Sequence, residues 1–145
     1  MDYEIVTLEE KRVVGLIART SNDSADMTEK IGGLWQKFMA ETVFTVKNRA
    51  NDYVIGLYSD YDETSYNVTV GAEVSSNGNA ELTEKIIPSG KYAKFFVRGD
   101  VVKAVADAWD EIWAMPLDRS YAADFEEYVN NVNGIADINL YISLK

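Results

Sequence analysis

The chain has 145 residues, a length typical of one domain, and 47% of them are apolar, which is enough to form one hydrophobic core. It contains no cysteine and no histidine, which excludes disulfides and Ser–His or Cys–His nucleophiles and disfavours a transition-metal site. The net charge of −10 argues against direct binding to nucleic acid, because phosphate backbones attract basic surfaces.

The sequence also lacks the features of a membrane or secreted protein. No apolar run approaches the roughly 20 residues that cross a bilayer, and the acidic start at Met1–Glu4 lacks the basic and apolar regions of a signal peptide. We therefore expect a soluble, cytoplasmic protein that does not contact a membrane. No cofactor, metal ligand or catalytic residue is assigned, and any catalysis would depend on carboxylate, tyrosine, lysine or bound water.

The first half of the chain predicts a strand, a helix and two further strands. The predicted strands are Val13–Ala18, Val54–Tyr58 and Tyr66–Val74. They are rich in β-branched and aromatic residues. A helix is predicted from about Met27 to Ala40, with Asp26 as its N-cap, because its apolar residues recur on one face. The polar stretch Ser75–Asn79 then marks the middle of the chain.

The second half repeats this order of elements. Its predicted elements are strands at Tyr92–Arg98, Tyr121–Val129 and Ile138–Leu144, and a helix at about Val101–Ala114. Adding 74 to the residue numbers superposes the apolar faces of the two helices and places Trp35 on Trp109. The sequence therefore predicts one α+β domain, 1–145, in which residues of about 1–76 and 87–145 form two pseudo-symmetric strand–helix–strand–strand units.

Each predicted helix has a single apolar face, so both should pack on one face of an antiparallel sheet and leave a groove on the other face. Strand alternation then assigns side chains to the two faces. The residues predicted to face the helices are Ile55, Leu57, Ala93, Phe95, Val97, Phe125, Ile138, Leu140, Ile142 and Leu144.

The opposite, groove-facing side is predicted to carry aromatic residues around one carboxylate, Glu126. These aromatic residues are Tyr58, Tyr92, Phe96, Tyr128 and Tyr141. A glutamate among aromatic rings suits an organic cation, because the carboxylate supplies a full charge and the rings supply negative π-faces. Half-exposed tyrosines on a sheet, without a ligand, are the equally compatible alternative.

Further candidates lie near this predicted groove. Tyr66, Trp35 and Trp113 are included as ligand-binding residues at its edge, although Tyr66 shares its strand face with core valines. Trp35 and Trp109 lie on apolar helical stripes, which favours core packing for both. Lys94 is predicted on the groove face, where pairing with Glu126 would weaken the binding of a cation.

Four segments carry a resemblance to a known family. They are Ile87–Phe95 (IP-x-G-x-YA-x-F), Trp109–Trp113 with Ser120–Tyr121 (W-x-x-I and S-x-Y), Asp124–Tyr128 (F-E-x-Y) and Ile138–Ile142 (I-x-L-Y-I). In this order and spacing they resemble the GyrI-like small-molecule-binding domain, the effector-binding domain of bacterial AraC-type and multidrug-responsive transcription regulators. The resemblance covers nearly the whole chain.

The resemblance implies two units related by a pseudo-twofold axis, with a ligand groove between them. It also implies that Glu126 is the acidic group at the base of the pocket, where family members that bind drugs meet cationic lipophilic compounds. The regulators of this family carry a helix-turn-helix domain, whereas the ligand-binding fold accounts for all of these 145 residues. The chain therefore resembles a stand-alone member.

Three functions follow from these features. The preferred one is a binding module that senses or sequesters a lipophilic, cationic small molecule. The first alternative is a small-molecule hydrolase in which Glu126 acts as general base toward water. The second is a protein-interaction module of the gyrase-inhibitor type, with a protein partner.

Overall fold

The computed structural model describes residues 1–76 and 78–145, so that Asn77, in the polar stretch predicted at the middle of the chain, lies outside the described residues. The described elements are β1 Glu4–Leu8, β2 Lys11–Thr20, α1 Met27–Ala40, a 3-10 turn Thr42–Thr45, β3 Val54–Ser59, β4 Tyr66–Val74, β5 Thr83–Ile87, β6 Gly90–Asp100, α2 Lys103–Trp113, β7 Arg119–Tyr128 and β8 Ile135–Leu144. Neither helix is long and apolar enough to cross a membrane.

The predicted strands and helices are all present, and their ends differ by a few residues. α2 begins at Lys103 because the carboxylate of Asp100 accepts hydrogen bonds from the backbone N–H groups of Val102 and Lys103, at 3.0 and 2.8 Å. The sequence did not reveal β1 and β5. Both are edge strands of five residues, which is too short for a clear alternation of apolar and polar residues.

The eight strands of the described residues form one antiparallel sheet in the order β1-β6-β8-β7-β3-β4-β2-β5. This confirms the predicted α+β class. The order is symmetrical about the β7–β3 pair, because β6-β8-β7 on one side mirrors β2-β4-β3 on the other. Each edge strand pairs with a strand of the other half: β1 with β6, and β5 with β2.

The strand pairing locates the symmetry axis. Adding 70 to the residue numbers carries the β3–β4 hairpin onto the β7–β8 hairpin and preserves the pairing of strands. This shift places Gly56 on Glu126 and Tyr58 on Tyr128. Gly56 and Glu126 also pair directly with each other across β3 and β7. The pseudo-twofold axis therefore passes between these two residues.

Short connections force the sheet to curl. The two-residue link from β1 to β2 spans about 11 Å at most, whereas these strands would lie about 29 Å apart in a flat sheet of this order. The resulting concave side, here called the curled face, encloses its own core. Its residues are Val6, Leu8, Val13, Ile55, Leu57, Ile87, Tyr92, Ala123, Phe125 and Tyr141.

Both helices cover the other side, the helix face, as predicted. α2 packs through Val105, Ala108 and Ile112 on the helix-facing residues of β6 and β8. α1 packs through Phe38, with Leu34 and Trp35 beside it, on the helix-facing residues of β2 and β4. The prediction that Ile55, Leu57 and Phe125 face the helices is wrong: they are core residues, but of the curled face. The sheet has apolar cores on both faces.

Truncation of Phe125 tests the core of the curled face. Its ring has no exposed surface and stacks on Tyr141 with centroids 4.5 Å apart. We expect Phe125→Ala to lower the free energy of unfolding by about 3–5 kcal/mol, because it removes buried surface and leaves a cavity. Phe96→Ala is the matched control, since Phe96 is 59% exposed, and it should cost less than about 0.5 kcal/mol. Equal losses in urea denaturation would contradict this second core.

Candidate functional site

A cavity of about 1060 Å³ lies on the helix face, between α1 and α2 and above β3 and β7. Its two walls, formed by α1 and by α2 with the turn before it, use equivalent positions, related by the shift of 74 residues that the sequence predicts. These pairs are Met27 and Val101, Thr28 and Val102, Ile31 and Val105, Gly32 and Ala106, Trp35 and Trp109, and Met39 and Trp113. The cavity therefore straddles the pseudo-twofold axis.

Glu126 forms the floor of this cavity, on the axis, and is only 1% exposed. Its Oε2 accepts hydrogen bonds from the hydroxyl of Tyr58 at 2.9 Å and from Nε1 of Trp109 at 2.7 Å. Its Oε1 accepts one from the hydroxyl of Tyr128 at 2.7 Å. Burial raises the pKa of Glu126 above its ordinary value, although these three hydrogen bonds oppose the shift.

The two tyrosines that hold Glu126 occupy symmetry-equivalent positions. Burial raises the pKa of Tyr58 and of Tyr128, and the adjacent Glu126 charge raises both further. Both hydroxyls therefore stay protonated and act as neutral donors at physiological pH. The carboxylate is solvated by neutral groups, and no cationic side chain of the described residues lies within ion-pair distance of it.

Aromatic rings surround this carboxylate. The Trp35 ring meets Tyr128 edge to face at 4.8 Å, and Trp109 meets Tyr58 in the same way at 5.5 Å. Tyr66 extends this wall beyond Tyr58, at 5.9 Å. Trp35 and Trp109 pack against the cores of the helix face, as the sequence favours, and both also line the cavity, where Trp109 donates to Glu126.

Gly56 makes room for this arrangement. A Cβ atom on Gly56 would lie 3.1 Å from Oε1 of Glu126 and 3.1 Å from Cζ2 of Trp35. These distances are shorter than ordinary van der Waals contact. At the axis, β7 therefore contributes the carboxylate of Glu126, whereas β3 contributes a glycine without a side chain.

The lining of the cavity is strongly acidic. Besides Glu126, the described lining residues with a carboxylate are Asp23, Asp52, Asp62, Glu63 and Asp110. Arg119 is the one cationic residue in the described lining, and its Nη2 is paired with Asp124 at 2.7 Å. The potential inside the cavity therefore favours a cation.

Several predicted groove residues lie on the curled face instead. Glu126 pairs with Leu140 and shares its helix-facing side, whereas Tyr141 pairs with Phe125 and faces the other way. Tyr92 and Tyr141 are buried in the core of the curled face. Phe96 and Lys94 lie on that side too, and Lys94 pairs with Glu4 at 3.9 Å rather than with Glu126.

The second core is the physical reason for this difference. The predicted alternation within each strand agrees with the structure, but Ile55, Leu57 and Phe125 fill the core of the curled face instead of packing against the helices. The predicted groove on the face without helices is therefore wrong, and the cavity lies between the helices. Of the predicted ligand-binding residues, those that line it are Glu126, Tyr58, Tyr128, Tyr66, Trp35 and Trp113.

Comparison with known proteins identifies the family and the fold. The family model Cass2, described as an integron-associated effector binding protein, matches residues 4–144. An integron cassette protein from the mobile metagenome of Vibrio cholerae is 27% identical, with a TM-score of 0.81 over 99% of this chain and 95% of that chain. The predicted resemblance to GyrI-like effector-binding domains is confirmed.

Two more distant structures share the fold. SAV2435, solved bound to tetraphenylphosphonium, is 21% identical, with a TM-score of 0.78 over 99% of this chain and 94% of that one. A protein of Staphylococcus aureus described as a bacterial transcription regulation protein is 20% identical, with a TM-score of 0.76 over 99% of both chains. No curated protein matches this sequence significantly.

The raised pKa of Glu126 predicts a pH-dependent stability. Between the unfolded pKa of about 4.3 and the raised folded pKa, the folded state holds a proton that the unfolded state has lost. The contribution of Glu126 to the free energy of unfolding therefore falls as pH rises through this window. We expect the stability of Glu126→Gln relative to wild type, measured by urea denaturation, to increase from pH 4 to 7. A constant difference would contradict the assignment.

Proposed function

Because this chain belongs to the family of integron-associated effector-binding proteins, we propose that it binds a lipophilic organic cation between α1 and α2, with Glu126 as the counter-charge. The observation that carries the proposal is the environment of the Glu126 carboxylate. Its carboxylate is buried among aromatic rings, it is held by three neutral donors, and it has no cationic partner among the described residues. A bound cation would supply the missing charge.

The shape and chemistry of the cavity support a drug-sized ligand. Pockets for such ligands commonly measure about 300–1,000 Å³, and this cavity, at about 1060 Å³, is slightly larger than that range. Trp35, Trp109, Tyr58 and Tyr128 offer π-faces that attract a cation when water is excluded. The acidic lining would concentrate cations at the entrance and repel anions.

The arrangement of Glu126 favours binding over catalysis. Three of its four lone-pair positions are used by Tyr58, Trp109 and Tyr128. These donors hold the carboxylate in one orientation and stabilise its charged form, which suits a fixed counter-ion. We propose that the binding serves to sense or sequester the cation, in keeping with the effector-binding family.

Replacement of Glu126 tests the proposed counter-charge. Tetraphenylphosphonium is the first probe, since it is a lipophilic cation and SAV2435 has been solved with it. We expect Glu126→Gln to weaken its binding at least tenfold in isothermal titration calorimetry, because interactions with a charged group are worth roughly 1.5–3 kcal/mol. Glu127→Gln is the matched control, since the Glu127 side chain faces away from the cavity, and it should bind as wild type does. Unchanged affinity in Glu126→Gln would overturn the proposal.

The affinity should also depend on pH. Protonation of Glu126 removes the counter-charge, and its raised pKa means that protonation begins above the usual range of a glutamate. We therefore expect affinity for tetraphenylphosphonium to fall as pH decreases from 8 to 5. Glu126→Gln should bind weakly and with little pH dependence over the same range. A wild-type affinity that does not change with pH would argue against an ion pair at Glu126.

A further inference from the structure

One end of the cavity holds a second polar group, here called the Arg119 cluster: Arg119, Asp124, Tyr61 and Tyr121. Asp124 is fully buried and anchors the cluster. Its Oδ2 accepts hydrogen bonds from Nη2 of Arg119 at 2.7 Å and from the hydroxyl of Tyr61 at 2.5 Å. Its Oδ1 accepts one from the backbone N–H of Ser143 at 2.9 Å. Arg119, Tyr61 and Tyr121 line the cavity.

Arg119 has more donors than the protein uses. A guanidinium donates from three nitrogens, but only Nη2 has an acceptor among the described residues. Nε is buried without a partner. Nη1 makes no hydrogen bond to a described residue, and the Arg119 side chain keeps 14% of its surface exposed. Buried polar groups normally have a hydrogen-bond partner. The space beside Arg119 in which such a partner would lie is the cavity.

The backbone of β7 is distorted where it presents this group. The pairing of β7 with β8 shifts register between Arg119 and Asp124, and Tyr121 within this bulge has a φ of 56°. The other described non-glycine residues with positive φ are Asn48, Asp60 and Asn133, which are types that tolerate this conformation. An aromatic residue does so at a cost, and such strain is concentrated at functional positions.

The distortion fixes the guanidinium. The Tyr121 ring lies 4.3 Å from the Arg119 guanidinium carbon and meets Tyr61 edge to face at 5.8 Å. Tyr121 is 54% exposed, so burial of its ring does not account for the strained backbone. The strained backbone places the ring over Arg119, where stacking and the bond to Asp124 together hold the guanidinium in one orientation.

We propose that Arg119 forms a second ligand subsite, which donates a hydrogen bond to a neutral acceptor such as an ester, amide or ketone oxygen. The subsite rests on the proposed function and narrows its ligand class to lipophilic cations that carry such an acceptor. Asp124 and Glu126 lie two residues apart on one side of β7, or about 7 Å. The acceptor should therefore lie about one aromatic ring from the cationic centre. A carboxylate is disfavoured, because Asp124 and Glu126 would repel it.

Matched probes separate the effect of the acceptor on affinity from the effects of ligand size and charge. The parent is tetraphenylphosphonium, and the analogues carry one para substituent: a methyl ester, an isopropyl group of similar bulk without an acceptor, or a carboxylate. We expect wild-type protein to bind the ester at least about tenfold more tightly than the isopropyl analogue, because the acceptor meets a charged donor. The carboxylate should bind no more tightly than the isopropyl analogue. Titration calorimetry measures all four.

A double variant assigns this preference to Arg119. Arg119→Met with Asp124→Asn removes the ion pair without leaving a lone buried charge. This double variant should still bind the parent, but the ratio of its affinity for the ester to its affinity for the isopropyl analogue should fall to about two or less. Arg98→Met with Asp137→Asn is the matched control, since it removes an Arg–Asp pair whose residues do not line the cavity. The control should keep the wild-type ratio.

The outcomes are distinguishable. A wild-type ratio near one overturns the subsite whether or not the double variant folds, and so does a ratio that the folded double variant retains. Tighter binding of the carboxylate than of the ester overturns the choice of a neutral acceptor. If the parent binds and the ratio is near one, the proposed function stands without the subsite. If no phosphonium ion binds, both proposals fail.

Discussion

The carboxylate of Glu126 is the constraint on which the rest of the site depends. Its three hydrogen bonds tie together β3 through Tyr58, β7 through Tyr128 and α2 through Trp109. A buried charge without such donors would be far more costly. The donors lower that cost without cancelling the charge, because each of them is neutral. Above its raised pKa, Glu126 therefore holds a negative charge in an apolar, aromatic environment, and this is the physical basis for the proposed preference for a cation.

The pseudo-twofold symmetry explains which aromatic residues form the site. The difference between the two halves at the axis, Gly56 against Glu126, explains why one carboxylate lies there. Symmetry supplies two tyrosines and two tryptophans at equivalent positions, Tyr58 with Tyr128 and Trp35 with Trp109. A second carboxylate at the equivalent position would be unfavourable, because Gly56 and Glu126 are direct partners across β3 and β7 and two like charges on the axis would repel each other. Glycine at position 56 removes that repulsion and also leaves the space that Glu126 and Trp35 occupy.

The curl of the sheet makes the cavity possible. The short β1–β2 and β5–β6 links bring distant strands together and close an apolar core on the curled face. The central strands β3 and β7 bury Ile55, Leu57 and Phe125 there. Their opposite side carries the polar and aromatic residues Tyr58, Glu126 and Tyr128 between the two helix-face cores, and α1 and α2 each cover an outer part of the sheet and stay apart above the axis. The Arg119 cluster occupies one end of the space that remains.

The sequence alone determined the fold class, the elements apart from the short edge strands β1 and β5, the match of the two helices and the alternation within each strand. It also singled out Glu126 and Tyr128 as neighbours on one face of β7, because residues two apart on a strand share a face wherever that strand lies, and it placed Tyr58 on the same face of the sheet through the apolar parity of β3. Only the tertiary structure decided which face this is. Alternation relates the side chains of one strand to each other, whereas the absolute face depends on what covers it, and here both faces are covered. Trp109 reaches Glu126 through a contact between α2 and β7, and Arg119 reaches Asp124 through the irregularity of β7 between them. Neither contact follows from a local sequence pattern.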